Sequence, residues 1–213
     1  MNVQLTWVTP NAEELIVKMA RVSAPKNQDN MDTAPRLLQY LIKHKHWSPF
    51  EMANMCVEIE TTRAISPQIL RHRSFSFQEF SQRYADTNEL GSAVIPHLRR
   101  QDQKNRQNSI DDLSSDLVAN YYRRISELYE NSEHLYREMV SNGIAKECAR
   151  SILPLSTQTR LFMNGTLRSW IHYLDLRCSN GTQLEHQQIA RAIRQIFCEQ
   201  FPIIGEAVFS ADQ

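Results

Sequence analysis

The chain reads as an α+β fold, a single domain over residues 1–213, rich in helix and built on an antiparallel or mixed sheet. Three observations predict this. Met55, Val57 and Ile59 alternate with Asn54, Cys56, Glu58 and Glu60, the period of a half-buried strand. Leu113, Leu117, Tyr121, Ile125, Leu128, Leu135 and Met139 step by threes and fours, with Ser132 in the gap, the period of a long helix. Strand-like and helix-like stretches intermingle, with no internal repeat and no composition break to mark a second domain.

The elements follow in order. Leu5 to Val8 suits a short strand. Thr9-Pro10 supplies an N-cap and a first-turn proline for a helix whose apolar stripe is Leu15, Ile16, Met19 and Val22. Residues 24–33 are loop-like, and a second helix runs through Leu37, Leu38, Leu41 and Ile42. His46 to Glu51 forms a turn before the Met55 strand. Thr61 to His72 reads as a short helix, with Pro67 tolerated near a start or kink. Residues 71–84 are extended. Residues 99–108 hold no apolar side chain and suit an exposed, mobile connection. The long helix ends at Asn142-Gly143, a C-cap pattern. A further helix passes through Arg150 and stops before Pro154, and Thr159 to Met163 suits a strand. Thr166 opens a helix carrying Arg168, His172 and Arg177. Thr182-Gln183-Leu184-Glu185 reads as a capping box for the last long helix, whose face is Ile189, Ile193, Ile196 and Phe197.

Composition sets the limits. At 213 residues, with 41% hydrophobic and 23% charged residues, the chain can bury a sizeable core. Lys+Arg and Asp+Glu balance at 24 each, which argues against bulk nucleic-acid binding but permits a local basic pocket. No apolar run approaches the roughly 20 residues needed to span a membrane, and the first residues lack the pattern of a secretory signal. Cysteines stand at 56, 148, 178 and 198, none in a Cys-x-x-Cys pair, so metal and dithiol motifs are not expected and free thiols fit a reducing cytoplasm. The five glycines make neither Gly-x-Gly-x-x-Gly nor a P-loop. Any phosphate must be held by arginines and helix N-termini.

The chemistry concentrates in residues 71–84, Arg-His-Arg-Ser-Phe-Ser-Phe-Gln-Glu-Phe-Ser-Gln-Arg-Tyr. Guanidinium forks fit phosphate oxygens two at a time. Serine and glutamate can hold a sugar hydroxyl or a base edge. Charge runs are usually solvated loops, but here Phe75, Phe77, Phe80 and Tyr84 interleave with the charges, which points to a partly buried site for a phosphorylated, nucleotide-sized ligand. A second constellation is Arg150-Ser151-Ile152-Leu153-Pro154 with Arg168 to Arg177. Positions 168, 172 and 175 share one helix face, and Arg177 is displaced around the helix. A third is His46-Trp47-Ser48-Pro49-Phe50-Glu51.

Arg71-His72-Arg73, seven residues, then Ser81-Gln82-Arg83-Tyr84, with Ser76 and Glu79 between, resembles the signature of flavin-dependent thymidylate synthases. The other two constellations follow the same family's pattern, in the right order. The resemblance covers most of the chain from about residue 36 onward, with 88–142 matching only in helical character. It implies conversion of deoxyuridylate (dUMP) to thymidylate (dTMP), with 5,10-methylenetetrahydrofolate as carbon donor and FAD, reduced by NADPH, as hydride source. It implies a homotetramer with sites where subunits meet, in the cytoplasm.

Residue by residue, the resemblance places His46, Ser48, Arg71, His72, Arg73, Glu79, Arg168 and His172 with the flavin, His46 and Ser48 near the folate as well. It places Gln68, Arg71, Glu79, Ser81, Gln82, Arg83, Arg150 and Arg177 with dUMP, Arg177 on the uracil ring. Arg177 and Ser81 are the catalytic candidates, Ser81 as a positioning hydroxyl. The chain departs from the family at Met52, where histidine is frequent, and at Thr166 and His172, where many relatives carry asparagine.

Two other readings compete. A cysteine-nucleophile methylase needs Pro-Cys-His, and the four cysteines stand instead in Met-Cys-Val, Glu-Cys-Ala, Arg-Cys-Ser and Phe-Cys-Glu. A nucleotide- or RNA-binding module would use the arginine block alone. His44 and His46 cannot share a helix face, and His97, His134 and His186 lack partners at ligand spacing, so each reads as structural and no metal is expected.

Overall fold

The computed structural model describes residues 1–209, apart from the side chain of Asn88. Strand β1 (Asn2–Val8) leads to α1 (Ala12–Ala20) and α2 (Ala34–Lys43). Strand β2 (Asn54–Thr62), the single turn α3 (Ser66–Ile69) and β3 (Ser76–Glu79) follow. A small hairpin, β4 (Arg100–Gln101) and β5 (Ser109–Ile110), precedes the long α4 (Ser115–Ser141) and the short α5 (Lys146–Ala149). Strand β6 (Gln158–Thr166) runs straight into α6 (Leu167–Arg177), and α7 (Leu184–Gln200) and α8 (Pro202–Phe209) complete the described chain.

The α+β class is as expected, and the sheet is wholly antiparallel, in the order β1-β2-β6-β3. Met55, Val57 and Ile59 of β2 and Leu161 and Met163 of β6 point to one face and are fully buried. Against that face pack Trp170 and Leu174 of α6, Ile189, Ile193 and Phe197 of α7, Leu38 of α2 and Ile204 of α8. Each fully buried aliphatic or aromatic side chain in this layer contributes roughly 1.5–3 kcal/mol. The Trp170 indole donates to the Met55 carbonyl at 2.9 Å, which anchors α6 to the sheet without leaving a buried N–H unpaired.

Several local expectations change. Thr9 does not cap α1: its backbone N–H bonds Asn54 O and its hydroxyl accepts from Asn54 N, both at 2.9 Å, clasping β1 to β2, while Asn11 precedes the helix in a left-handed conformation (φ 51°). The predicted helix from Thr61 shrinks to Ser66–Ile69, because Thr61 and Thr62 pair with Thr159 and Gln158 as the end of β2. Residues 99–108 contain a hairpin strand, turned by Asp102, whose carboxylate accepts from the Lys104 and Asn105 N–H groups at 2.8 and 3.2 Å. The capping box before α7 does not form. Glu185 instead meets Arg99 at 2.7 Å, a long-range partner that local sequence could not supply. Helix α8 is an addition, signalled by Pro202 at its first turn.

Helix α4 has the predicted period but an unexpected outlook. Only Tyr136 is fully buried. Leu117, Tyr121, Leu128 and Leu135 form a stripe that remains 42–63% exposed. The expected C-cap is present, with Gly143 at φ +83°.

Candidate active site

The site is built where β6 ends. Thr166, its last residue, is also the N-cap of α6, and its hydroxyl oxygen accepts from the Ser169 N–H at 3.3 Å. The same hydroxyl donates to Glu51 Oε2 at 2.8 Å, and Arg168 reaches Glu51 Oε1 at 2.5 Å. Arg168, with support from Thr166, holds the Glu51 carboxyl below its usual range against the opposing effect of burial. The His46–Glu51 turn is thereby stapled to the start of α6. In the sequence Glu51 is only the last residue of the third constellation, with no role of its own.

Beside this staple lies a cavity of about 650 Å³, lined by Trp47, Ser74, Arg168, Ser169, His172 and Asp175 among others. That size falls within the roughly 300–1,000 Å³ of small-molecule sites. Two of the predicted flavin residues, Arg168 and His172, line it; His46, Ser48, Arg71, His72, Arg73 and Glu79 do not. His46 sits apart, edge-on to Tyr40 with ring centroids 5.8 Å apart.

The signature strand is held from behind. Glu79 Oε1 receives Arg63 at 2.6 Å, the Ser66 hydroxyl at 2.5 Å and the Thr159 hydroxyl at 2.9 Å. Glu79 thus binds α3, β3 and β6 to one another. Phe75 packs on Trp170 (centroids 4.7 Å apart), and Gly165 gives it room, since a Cβ there would meet the ring at 2.4 Å. Downstream, Arg83 is engaged by Glu147 at 3.2 Å, and Lys146 reaches the Tyr84 carbonyl at 3.1 Å, so two contacts tie this segment to α5, and Arg150 directly follows α5 in the chain. Gln82 is buried with Nε2 unpartnered, a donor aimed at nothing within the described residues. Gln68 bonds Gln183 at 2.7 Å, ahead of α7.

The decisive contact joins the two ends of the pattern. Arg177 Nε donates to His72 Nε2 at 2.8 Å, across 105 positions of sequence. Burial, with Arg177 and His172 nearby, pushes His72 down to about 4, so its ring is neutral at ordinary pH. Behind it, the Tyr173 hydroxyl and His186 Nε2 share a hydrogen bond at 2.9 Å. His186 is fully buried and likewise pushed down to about 4, by burial first and then by Arg177 and His72. His186, which reads as structural from the sequence, finds its partner in Tyr173, thirteen residues earlier on α6.

A family model described as "Thymidylate synthase complementing protein" matches residues 4–203. A probable flavin-dependent thymidylate synthase of Paramecium bursaria Chlorella virus 1 is 54% identical over 198 residues, covering 92% of this chain and 90% of that protein. The chain belongs to the flavin-dependent thymidylate synthase family. Another member of the family, from Synechocystis, is 53% identical over 196 residues, 92% of this chain and 89% of its own. Among solved structures, the UMP/dUMP methylase PolB of Streptomyces cacaoi bound to 5-Br dUMP superposes with a TM-score of 0.86 at 27% identity, covering 99% of this chain and 94% of that one. In flavin-dependent thymidylate synthase terms, the three constellations of the sequence are the Glu51 staple, the Glu79-anchored signature strand and the Arg177 end of α6.

Proposed function

We propose that this chain methylates dUMP to dTMP, taking the carbon from 5,10-methylenetetrahydrofolate and using FAD reduced by NADPH. The observation that carries the reading is the Arg177–His72 contact, which brings the signature and the end of α6 to one place. Bound flavin would supply the hydride; the protein supplies position and charge.

The residues present fit a flavin nucleotide bound without a glycine-rich turn. The cavity combines hydroxyls (Ser74, Thr166, Ser169), apolar walls (Trp47, Ile171, Val208) and Arg168, which is paired with Glu51, beside the Asp175 carboxylate; this mixed lining suits the planar part of a large ligand. Arg168 and His172 would face it from α6. Arg71 and Arg73 are exposed and, among the described residues, have no ion-pair partner, so both are free for phosphate, with Arg71 bridging to dUMP. His46 and Ser48 would approach the folate and flavin from the stapled turn.

For dUMP, Ser81, the orphaned Gln82 amide and Arg83 lie on one segment, and Arg83 would leave Glu147 to take the phosphate; Arg150, which directly follows α5, would join them from there. Arg177 keeps its two terminal nitrogens for the uracil ring, since Nε is committed to His72. A guanidinium there would stabilise the electron-rich ring that attacks carbon. Glu79 and Gln68 would support the signature strand from within.

The exposed stripe of α4 supports a homotetramer. Tyr121, Leu128 and Leu135 recur every seven residues, the spacing of helix-to-helix packing, and would pair with another subunit. No helix among the described residues is long and apolar enough to cross a membrane, and all four cysteines are free, in keeping with a cytoplasmic setting. The test is direct: purified protein is expected to be yellow and to form dTMP from dUMP only with methylenetetrahydrofolate and NADPH. Colourless protein that binds no added FAD overturns the reading.

A further inference from the structure

We propose that the buried Tyr173–His186 pair is a positioning device for Arg177, acting through the ring of His72. The inference rests on the reading of Arg177 as the uracil-facing group. Arg177 is the last residue of α6, where a side chain is ordinarily free to swing. Here its Nε is tied to His72 Nε2, so the direction of its fork depends on how firmly that ring is held.

Two walls hold it. The Tyr173 ring meets His72 edge-on, with centroids 4.8 Å apart and planes at 80°. His186 meets it at 6.5 Å and 82°. Tyr173 and His186 are both fully buried, one on α6 and one on α7, and their hydrogen bond locks the walls to each other. Because arginine only donates, Nε2 of His72 must carry the lone pair and its ring proton must sit on Nδ1. Arg177 therefore fixes the tautomer, and the two walls fix the ring orientation in which it can do so.

Packing alone does not account for the pair. An apolar pair of the same shape would fill this space without loss. The histidine instead buries an Nδ1 that has no hydrogen-bond partner among the described residues. Burying a polar atom unpaired is unfavourable, and such a group calls for a reason other than stability. Geometric specificity at the neighbouring Arg177 is that reason.

The experiment compares Tyr173→Phe and His186→Leu in the wild-type and Arg177→Lys backgrounds. Each single change is expected to lower kcat by roughly tenfold to a hundredfold, the scale of a misplaced group in an active site, with flavin content and melting temperature near wild type. The loss should shrink towards nothing in the Arg177→Lys background; an equal loss in both backgrounds means a general structural role and overturns the proposal. Nitrogen-15 NMR of the ligand-free wild-type protein gives an independent measure: the His72 proton should sit on Nδ1. A proton on Nε2 overturns the proposal even if the variants do not fold. Normal turnover in Tyr173→Phe and His186→Leu also overturns it, while normal turnover in Arg177→Ala would overturn the uracil assignment; the clamp is then judged by the His72 nitrogen signals of Tyr173→Phe and His186→Leu, which should shift from wild type, and unchanged signals overturn it.

Discussion

Arg168 and Glu51 face each other at 2.5 Å, so the first turn of α6 and the His46–Glu51 turn move as one unit. The pair is partly exposed, 52% and 38%, and a pair of that kind adds at most about 1 kcal/mol to stability. Its value lies in placing one wall of the cavity against the other. Glu51→Gln should leave the melting temperature almost unchanged and weaken FAD retention several-fold. Flavin absorbance per protein after gel filtration checks this; full retention in the variant refutes the link between staple and cavity.

Arg177→Ala should damage turnover far more than flavin content. Removing one preorganised donor beside developing charge typically costs about 10²–10³ in kcat. Steady-state assays and flavin content, measured on the same preparation, separate the two effects. A variant that merely loses flavin contradicts the uracil assignment.

Ser81→Ala should weaken dUMP binding and slow turnover, yet leave measurable dTMP formation. Among the described residues no histidine hydrogen-bonds the Ser81 hydroxyl to act as its base, and His72 is committed to Arg177. Mass spectrometry of a trapped reaction should find no dUMP attached to the peptide containing Ser81; an adduct there would make the serine a nucleophile.

Gly165→Ala should destabilise the protein by about 1–3 kcal/mol through overpacking. The new Cβ would meet Phe75 Cδ1 at 2.4 Å and Cε1 at 2.6 Å, and the ring, set against Trp170 and Tyr173, has little room to yield. Chemical denaturation measures the loss, and because Phe75 belongs to the signature segment, FAD affinity should fall with it.

Stability should decline as pH falls from about 6.5 towards about 4. His72 and His186 keep depressed values near 4 in the fold against an ordinary 6.5, so in that window the unfolded chain binds protons that the native chain refuses. Their contribution is fully present above about 6.5 and is lost on acidification. The Arg177 guanidinium lies close to both rings and resists their protonation further, while Tyr173 packs against both. Melting curves across that range should be flatter for His186→Leu than for wild type.

Much of the site was legible because its chemistry is carried by short, contiguous runs. Residues 71–84 pair arginines with aromatics, a mixture that reads as an anion site; the structure buries Phe75 there and leaves Arg71 and Arg73 exposed. Local periodicity likewise revealed β2, α4, α6 and α7. Three of the errors share one cause. Thr9, Thr61 and Glu185 have side chains or backbone that read as helix signals, but each is claimed by a partner far away: Asn54, Thr159 and Arg99. Short-range capping is worth about 1 kcal/mol, and a strand ladder or a tertiary ion pair outbids it.

What the sequence by itself determined is the inventory: the guanidiniums, hydroxyls and aromatics of the site, their order along the chain, and the absence of a glycine-rich phosphate loop. What only the tertiary structure decided is which of them touch. Glu51 became a staple, Gln82 an orphaned donor, and His186 the partner of Tyr173 because an antiparallel sheet laid β6 between β2 and β3 and carried α6 across its face. Hydrogen bonds act over about 3 Å, and nothing in a linear spacing of 105 residues says that Arg177 will end within that reach of His72.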